Sequence, residues 1–182
     1  MPWSRRLVLP AAAALLLAPL PARAWFWRGG LPDPAEPSTT LDGVEAAITR
    51  LIPVPEITAE ALAPRLSDFL LFDVREPAEY AQSRLPGAIR LDPAMPAAEF
   101  RAAHGARVAG ADVVFYCAVG WRSGRMLELV RGTIAGARPR ALFNLRGGLF
   151  RWRVLGLPLE GGAEVHPFDR QWGRLLERSL GG

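Results

Sequence analysis

The single cysteine of this chain, Cys117, follows a run of β-branched and aromatic residues at 113–116 and precedes a short loop with one glycine. An apolar run bounded by such a turn predicts a buried strand, and the residues from about Arg122 onward predict a helix. A helix that begins there points its backbone N–H groups and its positive end toward the cysteine. Together with the guanidinium of Arg122, these groups favour a nucleophilic thiolate. The alternative is that Cys117 packs in the core as a small apolar residue.

The elements that would position this cysteine alternate between strand and helix along the chain. Strands are predicted at residues 57–58, 69–74, 88–91, 113–116 and 141–145, and helices at residues 41–51, 59–66, 76–82, 96–104, 123–134, 149–155 and 166–180. This order predicts an α/β fold of three layers, in which an open parallel sheet of about five strands carries helices on both faces. Ligands bind at the carboxyl ends of the strands in such sheets. Asp73, Cys117 and Arg146 fall at or just beyond such ends.

Residues 1–24 have the parts of an export signal: a basic start with two arginines, an apolar run at 7–20 and a final small-x-small tripeptide. The apolar run is shorter than the ~20 residues that span a bilayer. We therefore expect cleavage after Ala24 and a periplasmic protein rather than a membrane anchor. Residues 4–9 resemble a twin-arginine signal, and an ordinary Sec signal that carries two arginines stays open.

The remaining chain is expected to have three parts. They are a linker with one helix (25–55), the α/β domain (56–160) and a C-terminal helical extension (161–182). An aromatic triplet, Trp25, Phe26 and Trp27, opens the first part. It either makes a weak contact with a membrane interface, packs on the domain or is disordered.

The composition excludes several classes of function. Half of the 182 residues are apolar, which is enough for one domain with a substantial core. Every basic side chain is arginine, so no lysine can form a Schiff base. The net charge is +4, but three arginines and no acid lie in the first 24 residues, so the remainder lacks the basic excess of a nucleic-acid-binding protein. One cysteine excludes an internal dithiol pair, and His104 and His166 lack the spacing of metal ligands, so no cofactor or metal is predicted.

Four sequence motifs resemble, in order, those of the rhodanese-type sulfurtransferase domain. Residues 70–80 resemble its opening hDVRe..Ey signature, residues 84–89 its HIPGAi turn, residues 117–123 its CxxGxRS active loop, and residues 147–158 its closing GG…W…GlP pattern. The resemblance covers about residues 56–160 and implies a rhodanese-like fold. Arg84 stands where the family often has histidine, and it either adds positive charge near the site or lies at the surface.

The resemblance implies a sulfur transfer in two steps. The Cys117 thiolate attacks the outer sulfur of a small anionic donor such as thiosulfate and becomes a persulfide, and a cyanide or thiol acceptor then removes that sulfur. Cys117 and Arg122 would be the catalytic residues. The residues that would bind the substrates are Ala118, Val119, Gly120, Trp121, Ser123, Asp73 and Arg146. A cation in the first turn of a helix opposes the helix dipole, so Arg122 needs a compensating anion, and the donor is a candidate.

Several of these residues have a structural alternative. Asp73 either orders the active loop through hydrogen bonds to its backbone or lines the pocket. Arg75 and Glu79 are four residues apart, and we expect them to form an ion pair. Trp121 either faces solvent and shapes the entrance for the acceptor, or packs in the core. Arg146 either attracts an anion from the neighbouring loop or has a structural role only.

Two other functions stay open. A phosphatase on the same fold needs a longer loop between its cysteine and its arginine than the four residues that intervene here, and the smaller loop suits a sulfur atom better than a phosphate. The second is a non-catalytic module that uses the fold to bind a partner. The physiological donor and acceptor and the oligomeric state are not predicted by the sequence.

Overall fold

The computed structural model describes residues 30–181, so the predicted export signal and the triplet Trp25, Phe26 and Trp27 lie outside the described residues. The strands are β1 (Glu56–Ile57), β2 (Phe69–Asp73), β3 (Ser83–Arg84), β4 (Ile89–Arg90), β5 (Asp112–Tyr116), β6 (Ala141–Leu145) and β7 (Glu160–Gly161). Five of them form a parallel sheet in the order β1-β6-β5-β2-β4. The other two, β3 and β7, pair antiparallel in a separate small sheet that the sequence did not predict.

Seven α-helices connect and cover these strands within residues 30–181. They are α1 (Leu41–Leu51), α2 (Ala59–Leu62), α3 (Pro77–Gln82), α4 (Ala97–Val108), α5 (Trp121–Ile134), α6 (Gly148–Val154) and α7 (Arg170–Leu180). The cap of α1 is the hydroxyl of Thr40, which accepts a hydrogen bond from the backbone N–H of Gly43. Helix α7 begins four residues later than predicted, because the carboxylate of Asp169 caps it through two backbone N–H groups.

The central strand β5 divides the core into two layers. Its side chains alternate across the sheet, so that Val113 and Phe115 face one apolar cluster and Val114 and Tyr116 face the other. Helices α4 and α5 supply the apolar side chains of the first cluster, and α1, α2, α6 and α7 supply those of the second. The predicted α/β fold, a five-stranded parallel sheet with helices on both faces, is confirmed.

The first and last helices belong to the same apolar cluster. Val44 and Ile48 of α1 and Trp172 and Leu175 of α7 are buried there. The guanidinium of Arg178 also donates hydrogen bonds to backbone carbonyls of the segment before α1. The two ends of the described chain are therefore fixed to one side of the sheet. Across residues 30–181, no helix combines the length and the apolar character that a membrane crossing requires.

Candidate active site

Cys117 lies directly after β5, at the carboxyl end of the central strand. The loop that follows turns sharply at Gly120, whose φ of 97° is left-handed, and α5 begins at the next residue. The backbone N–H of Gly120 donates a hydrogen bond to Sγ of Cys117 over 3.2 Å. The cysteine is fully buried, as the packing alternative expects. The polar donor and the amino end of a long helix are directed at the sulfur, as the nucleophile interpretation expects.

Helix α6 holds the loop from the neighbouring strand. The backbone N–H of Leu149 donates to the carbonyl of Cys117, and that of Phe150 donates to the carbonyl of Ala118, both over 2.9 Å. Gly148 allows this approach, since a Cβ on it would lie 2.4 Å from the carbonyl oxygen of Cys117. The glycine pair of the sequence therefore serves to fix the position of the active loop.

A buried asparagine, which the sequence analysis did not select, fixes the other end of the loop. Asn144 of β6 donates from its amide to the carbonyl of Gly120 over 3.0 Å and accepts from the hydroxyl of Ser123 over 2.7 Å. The hydroxyl of Ser123, a residue predicted to bind substrate, thus bonds to a side chain of β6. A polar residue inside an otherwise apolar predicted strand was the signal that could have identified Asn144.

Arg122 is paired with a carboxylate from α3. Two nitrogens of its guanidinium bond the two oxygens of Glu79 over 2.7 and 2.8 Å, and the two side chains are only 10% and 2% exposed. Burial alone would raise the pKa of Glu79, but the hydrogen bonds and charge of Arg122 hold that pKa below its ordinary value. The compensating anion that the sequence requires for Arg122 is thus a carboxylate of the chain itself.

The same guanidinium also interacts with the cysteine. Burial would lower the pKa of Arg122, whereas the hydrogen bonds to Glu79 and the interaction with Cys117 raise it. On another side, the aromatic ring of Phe168 lies 5.0 Å from the guanidinium carbon. Arg122 therefore joins the sulfur, a buried carboxylate and an aromatic side chain of the C-terminal segment.

A second buried ion pair lies at the end of β2. Arg75 donates to the two oxygens of Asp73 over 2.8 and 2.6 Å and to the carbonyl of Ser83 over 2.6 Å. The predicted pair between Arg75 and Glu79 is wrong, because Arg75 precedes the first residue of α3 and the two side chains do not share a helix face. The carboxylate of Asp73 therefore bonds to Arg75. This ion pair is found in place of hydrogen bonds from Asp73 to the backbone of the active loop.

The other residues predicted for the site divide into buried and exposed side chains. Ala118, Val119 and Trp121 are all buried, so Trp121 packs in the core rather than facing solvent. Arg146 is 44% exposed and pairs with Glu45 of α1 over 3.3 Å.

Arg84 lies in β3, which belongs to the small second sheet and not to the sheet that carries Cys117. It pairs with Glu160 of β7 and stacks on the ring of Tyr80. Within residues 30–181 no three metal-ligating side chains come together. The residues around Cys117 offer the chemistry of one thiol beside a backbone N–H donor and a guanidinium.

Comparison with known proteins identifies the family of this chain. The profile of the Rhodanese-like domain family matches residues 58–154, so the chain belongs to this family and the resemblance seen in the motifs is confirmed. A protein named sulfurtransferase from Allochromatium vinosum is 37% identical over 109 residues, which are 58% of this chain and 94% of that protein.

Two solved structures are similar to this chain. A thiosulfate sulfurtransferase from Pseudomonas aeruginosa superposes with a TM-score of 0.51 at 19% identity, over 86% of this chain and 30% of that one. A rhodanese-related protein from Thermoplasma volcanium gives a TM-score of 0.48 at 22% identity, over 61% of this chain and 100% of that one. The first similarity extends to the fold alone.

Proposed function

We propose that this protein is a sulfurtransferase that moves a sulfane sulfur from a small anionic donor, such as thiosulfate, to cyanide or a thiol. The observation that carries the proposal is the hydrogen bond from the Gly120 N–H to Sγ of Cys117 at the carboxyl end of β5, where α5 begins with Arg122 in its first turn. A thiolate in such surroundings is a nucleophile and a leaving group at once.

The transfer has two displacements, each of which conserves charge and electrons. The Cys117 thiolate attacks the outer sulfur of thiosulfate, a sulfur–sulfur bond forms, and the bond to the sulfite portion breaks so that sulfite leaves with the electron pair. Cyanide then attacks the outer sulfur of the persulfide and leaves as thiocyanate, and the cysteine is released as a thiolate. No proton, oxidant or metal is consumed in either step.

The described residues have distinct roles in this scheme. The Gly120 N–H and the amino end of α5 stabilise negative charge on the sulfur in the free and persulfide states. Arg122 contributes positive charge, and Glu79 holds its guanidinium in place through two hydrogen bonds. Asn144 keeps the loop closed around the sulfur.

The names of two similar proteins bear on the proposal. The relative from Allochromatium vinosum carries the name sulfurtransferase, and it matches most of its own length to this chain. Thiosulfate as donor appears only in the name of the Pseudomonas aeruginosa protein, which is similar in fold alone. Thiosulfate is therefore our choice of first donor to test rather than an inference from close relationship.

Intact mass spectrometry after incubation with thiosulfate tests the proposal directly. We expect the purified protein to gain the mass of one sulfur atom and to lose it on addition of cyanide, with thiocyanate released in equal amount. Cys117→Ser should show no gain. The absence of an adduct with thiosulfate, a thiosulfonate and an organic persulfide would contradict the proposal.

That negative result would favour a binding module. The full burial of Cys117 is the observation that keeps this second function under consideration, because a sulfur without access to solvent serves packing as well as chemistry. Phosphate-ester hydrolysis measured in the same preparation would separate both functions from a phosphatase.

We also propose that the protein acts outside the cytoplasm. The proposal is supported by the basic start, apolar run and small-x-small end of residues 1–24. Fractionation of cells that produce the full chain, with amino-terminal sequencing, would test it. A periplasmic product that begins at Trp25 is expected, and a cytoplasmic product that retains Met1 would contradict it. Retention on vesicles through the aromatic triplet would be a further, separate observation.

A further inference from the structure

The chain continues past the family domain and returns to the active loop. Residues 162–169, which we name the covering segment, connect β7 to α7. One end is fixed where the backbone N–H of Gly162 donates to the carbonyl of Gln82 over 2.7 Å. The other end is fixed by Asp169, which caps α7. Val165, in the middle of the segment, is buried in the core.

Phe168 of this segment has an unusual backbone conformation. Its φ of 66° lies in the left-handed region, which bulky side chains rarely adopt. The side chain of His166 accepts a hydrogen bond from the Phe168 backbone N–H over 3.0 Å at Nδ1 and so supports this conformation. Such local strain is found most often at functional sites.

The strained residue lies over the catalytic arginine. The ring centroid of Phe168 is 5.0 Å from the guanidinium carbon of Arg122. Arg122 is 10% exposed, and Cys117 is fully buried. Phe168 is half-buried, and its ring covers part of the Arg122 guanidinium, the charged group that neighbours the sulfur.

We propose that Phe168 is a specificity-determining residue of the sulfur-transfer site, which limits the size of the acceptor that reaches the sulfur of Cys117. This inference rests on the proposed function. Small acceptors such as cyanide pass the edge of the ring, whereas bulky thiols meet it sterically. The cation–π contact with the Arg122 guanidinium holds the Phe168 ring in place. The covering segment, fixed at both ends, limits how far the ring can move.

The first experiment measures access to the sulfur without sulfur transfer. Since the chain has one cysteine, labelling with iodoacetamide and with a bulky fluorescein maleimide reports on Cys117 alone. In Phe168→Ala, the rate with the bulky reagent relative to the small one should rise about tenfold, the size of effect expected when a steric barrier in a pocket is removed. An unchanged ratio would overturn the inference.

A matched control is available at the other end of the sheet. Phe69 is also half-buried, and the guanidinium carbon of Arg65 lies 5.5 Å from its ring centroid. It is the first residue of β2 and therefore lies away from the carboxyl ends of the strands. Phe69→Ala removes the same atoms and should leave the labelling ratio of the wild type unchanged. A rise in this variant as large as in Phe168→Ala would attribute the effect to general loosening and overturn the inference.

The second experiment uses transfer activity with acceptors of increasing size: cyanide, 2-mercaptoethanol and glutathione. Phe168→Ala should raise the ratio of kcat/KM for glutathione to kcat/KM for cyanide by about tenfold. An equal change for all three acceptors would contradict a role in size selection. If the wild type transfers no sulfur at all, the proposed function fails, whereas the labelling ratio still decides the role of Phe168.

A second variant displaces the covering segment without substituting any of its residues. A Cβ on Gly173 of α7 would lie 2.9 Å from Cβ of Pro167, so Gly173→Ala should push the segment outward while it favours the helix. We expect the labelling ratio to rise as in Phe168→Ala. Gly105→Ala in α4, where the new Cβ meets only Arg101 at 3.7 Å, is the control and should leave the ratio unchanged. A ratio that stays at the wild-type value in folded Gly173→Ala would also contradict the proposal.

Discussion

The loops that follow β5 and β6 are built alike but present different surroundings. Each ends in a glycine with left-handed φ that precedes a helix, Gly120 at 97° and Gly147 at 70°. Beside each glycine, an arginine pairs with a glutamate from an earlier helix: Arg122 in the first turn of α5, and Arg146 in the loop itself. The pair of Arg122 is nearly inaccessible to solvent. Arg146, by contrast, is 44% exposed and shares Glu45 with Arg151.

The difference between the loops lies in what surrounds the charge. A guanidinium in a low-dielectric interior acts strongly on a neighbouring sulfur, and its own carboxylate partner must be present to offset the desolvation. An arginine in contact with water is screened and contributes little beyond its place in a network. The loop after β5 can therefore do chemistry, and the loop after β6 supports it through the hydrogen bonds from α6 to the carbonyls of Cys117 and Ala118.

The largest contrast is expected between alanine substitutions at the two arginines. Arg122→Ala leaves Glu79 buried without its partner, so the free energy of unfolding should fall by about 3–5 kcal/mol. Sulfur transfer should fall by about 100-fold, since a charged donor at the reacting atom is lost. Arg146→Ala should cost less than about 1 kcal/mol and change transfer by less than about twofold. Urea denaturation and kcat/KM with thiosulfate and cyanide measure both.

Equal losses in these two variants would remove the distinction between the loops. Because Arg122→Ala is expected to be unstable, Arg122→Lys is the companion variant. It keeps a charge but loses the bidentate geometry, and its kcat/KM should fall between those of the wild type and the alanine variant. Full activity in a folded Arg122→Lys would show that the charge alone is sufficient.

The next contrast tests how the second loop supports the first. Gly148→Ala places a Cβ 2.4 Å from the carbonyl oxygen of Cys117 and should reduce the free energy of unfolding by about 3 kcal/mol through overpacking and strain. Gly156 has a similar left-handed φ of 66° but no atom within 4 Å of a new Cβ. Gly156→Ala should therefore cost only about 1 kcal/mol. Thermal denaturation of both variants measures the difference, and equal costs would mean that backbone strain alone matters at Gly148.

The sequence predicted the parts of the fold that depend on local pattern. Continuous apolar runs identified β2 and β6 within a residue of their observed ends, because strands of a covered parallel sheet are apolar on both faces. The strands β3 and β7 consist of polar residues and glycine, Ser83–Arg84 and Glu160–Gly161, so no apolar run marked them. The start of α7 was predicted four residues too early, because the side chain that caps the helix is the carboxylate of Asp169.

As with the fold, the parts of the site that depend on local sequence were predicted. The spacing of Cys117 and Arg122 in one loop identified both, since a strand, a glycine and a helix amino end follow one another in sequence. The partners of Arg122 were not predicted, because they come from distant positions: Glu79 lies 43 residues away, and Phe168 lies in another segment. Such contacts depend on tertiary packing, which a local pattern does not contain. The helix-spacing rule even assigned Glu79 to Arg75, the wrong partner.

A smaller effect is expected in acid. The folded-state pKa of Glu79 lies below the ordinary value of 4.5, so its ion pair stabilises the protein fully above that pH and is lost as the pH falls through the folded pKa. The free energy of unfolding should therefore decline below about pH 4.5 in the wild type. Glu79→Gln should be less stable at neutral pH and show a shallower decline. Chemical denaturation in steps from pH 6 to pH 3 measures this; parallel curves for the two proteins would exclude Glu79 as a source of the acid sensitivity.

The smallest effect is expected at the carboxylate of the second loop. Glu45→Gln removes the charge shared by Arg146 and Arg151, but both arginines are in contact with water and keep part of their hydration. The free energy of unfolding should fall by about 1 kcal/mol, and less at high salt. Sulfur transfer should stay within about twofold of the wild type, because neither arginine acts on the sulfur. A loss of transfer as large as that of Arg122→Ala would show that the charge at the second loop reaches the reacting atom, and would restore Arg146 as a substrate-binding residue.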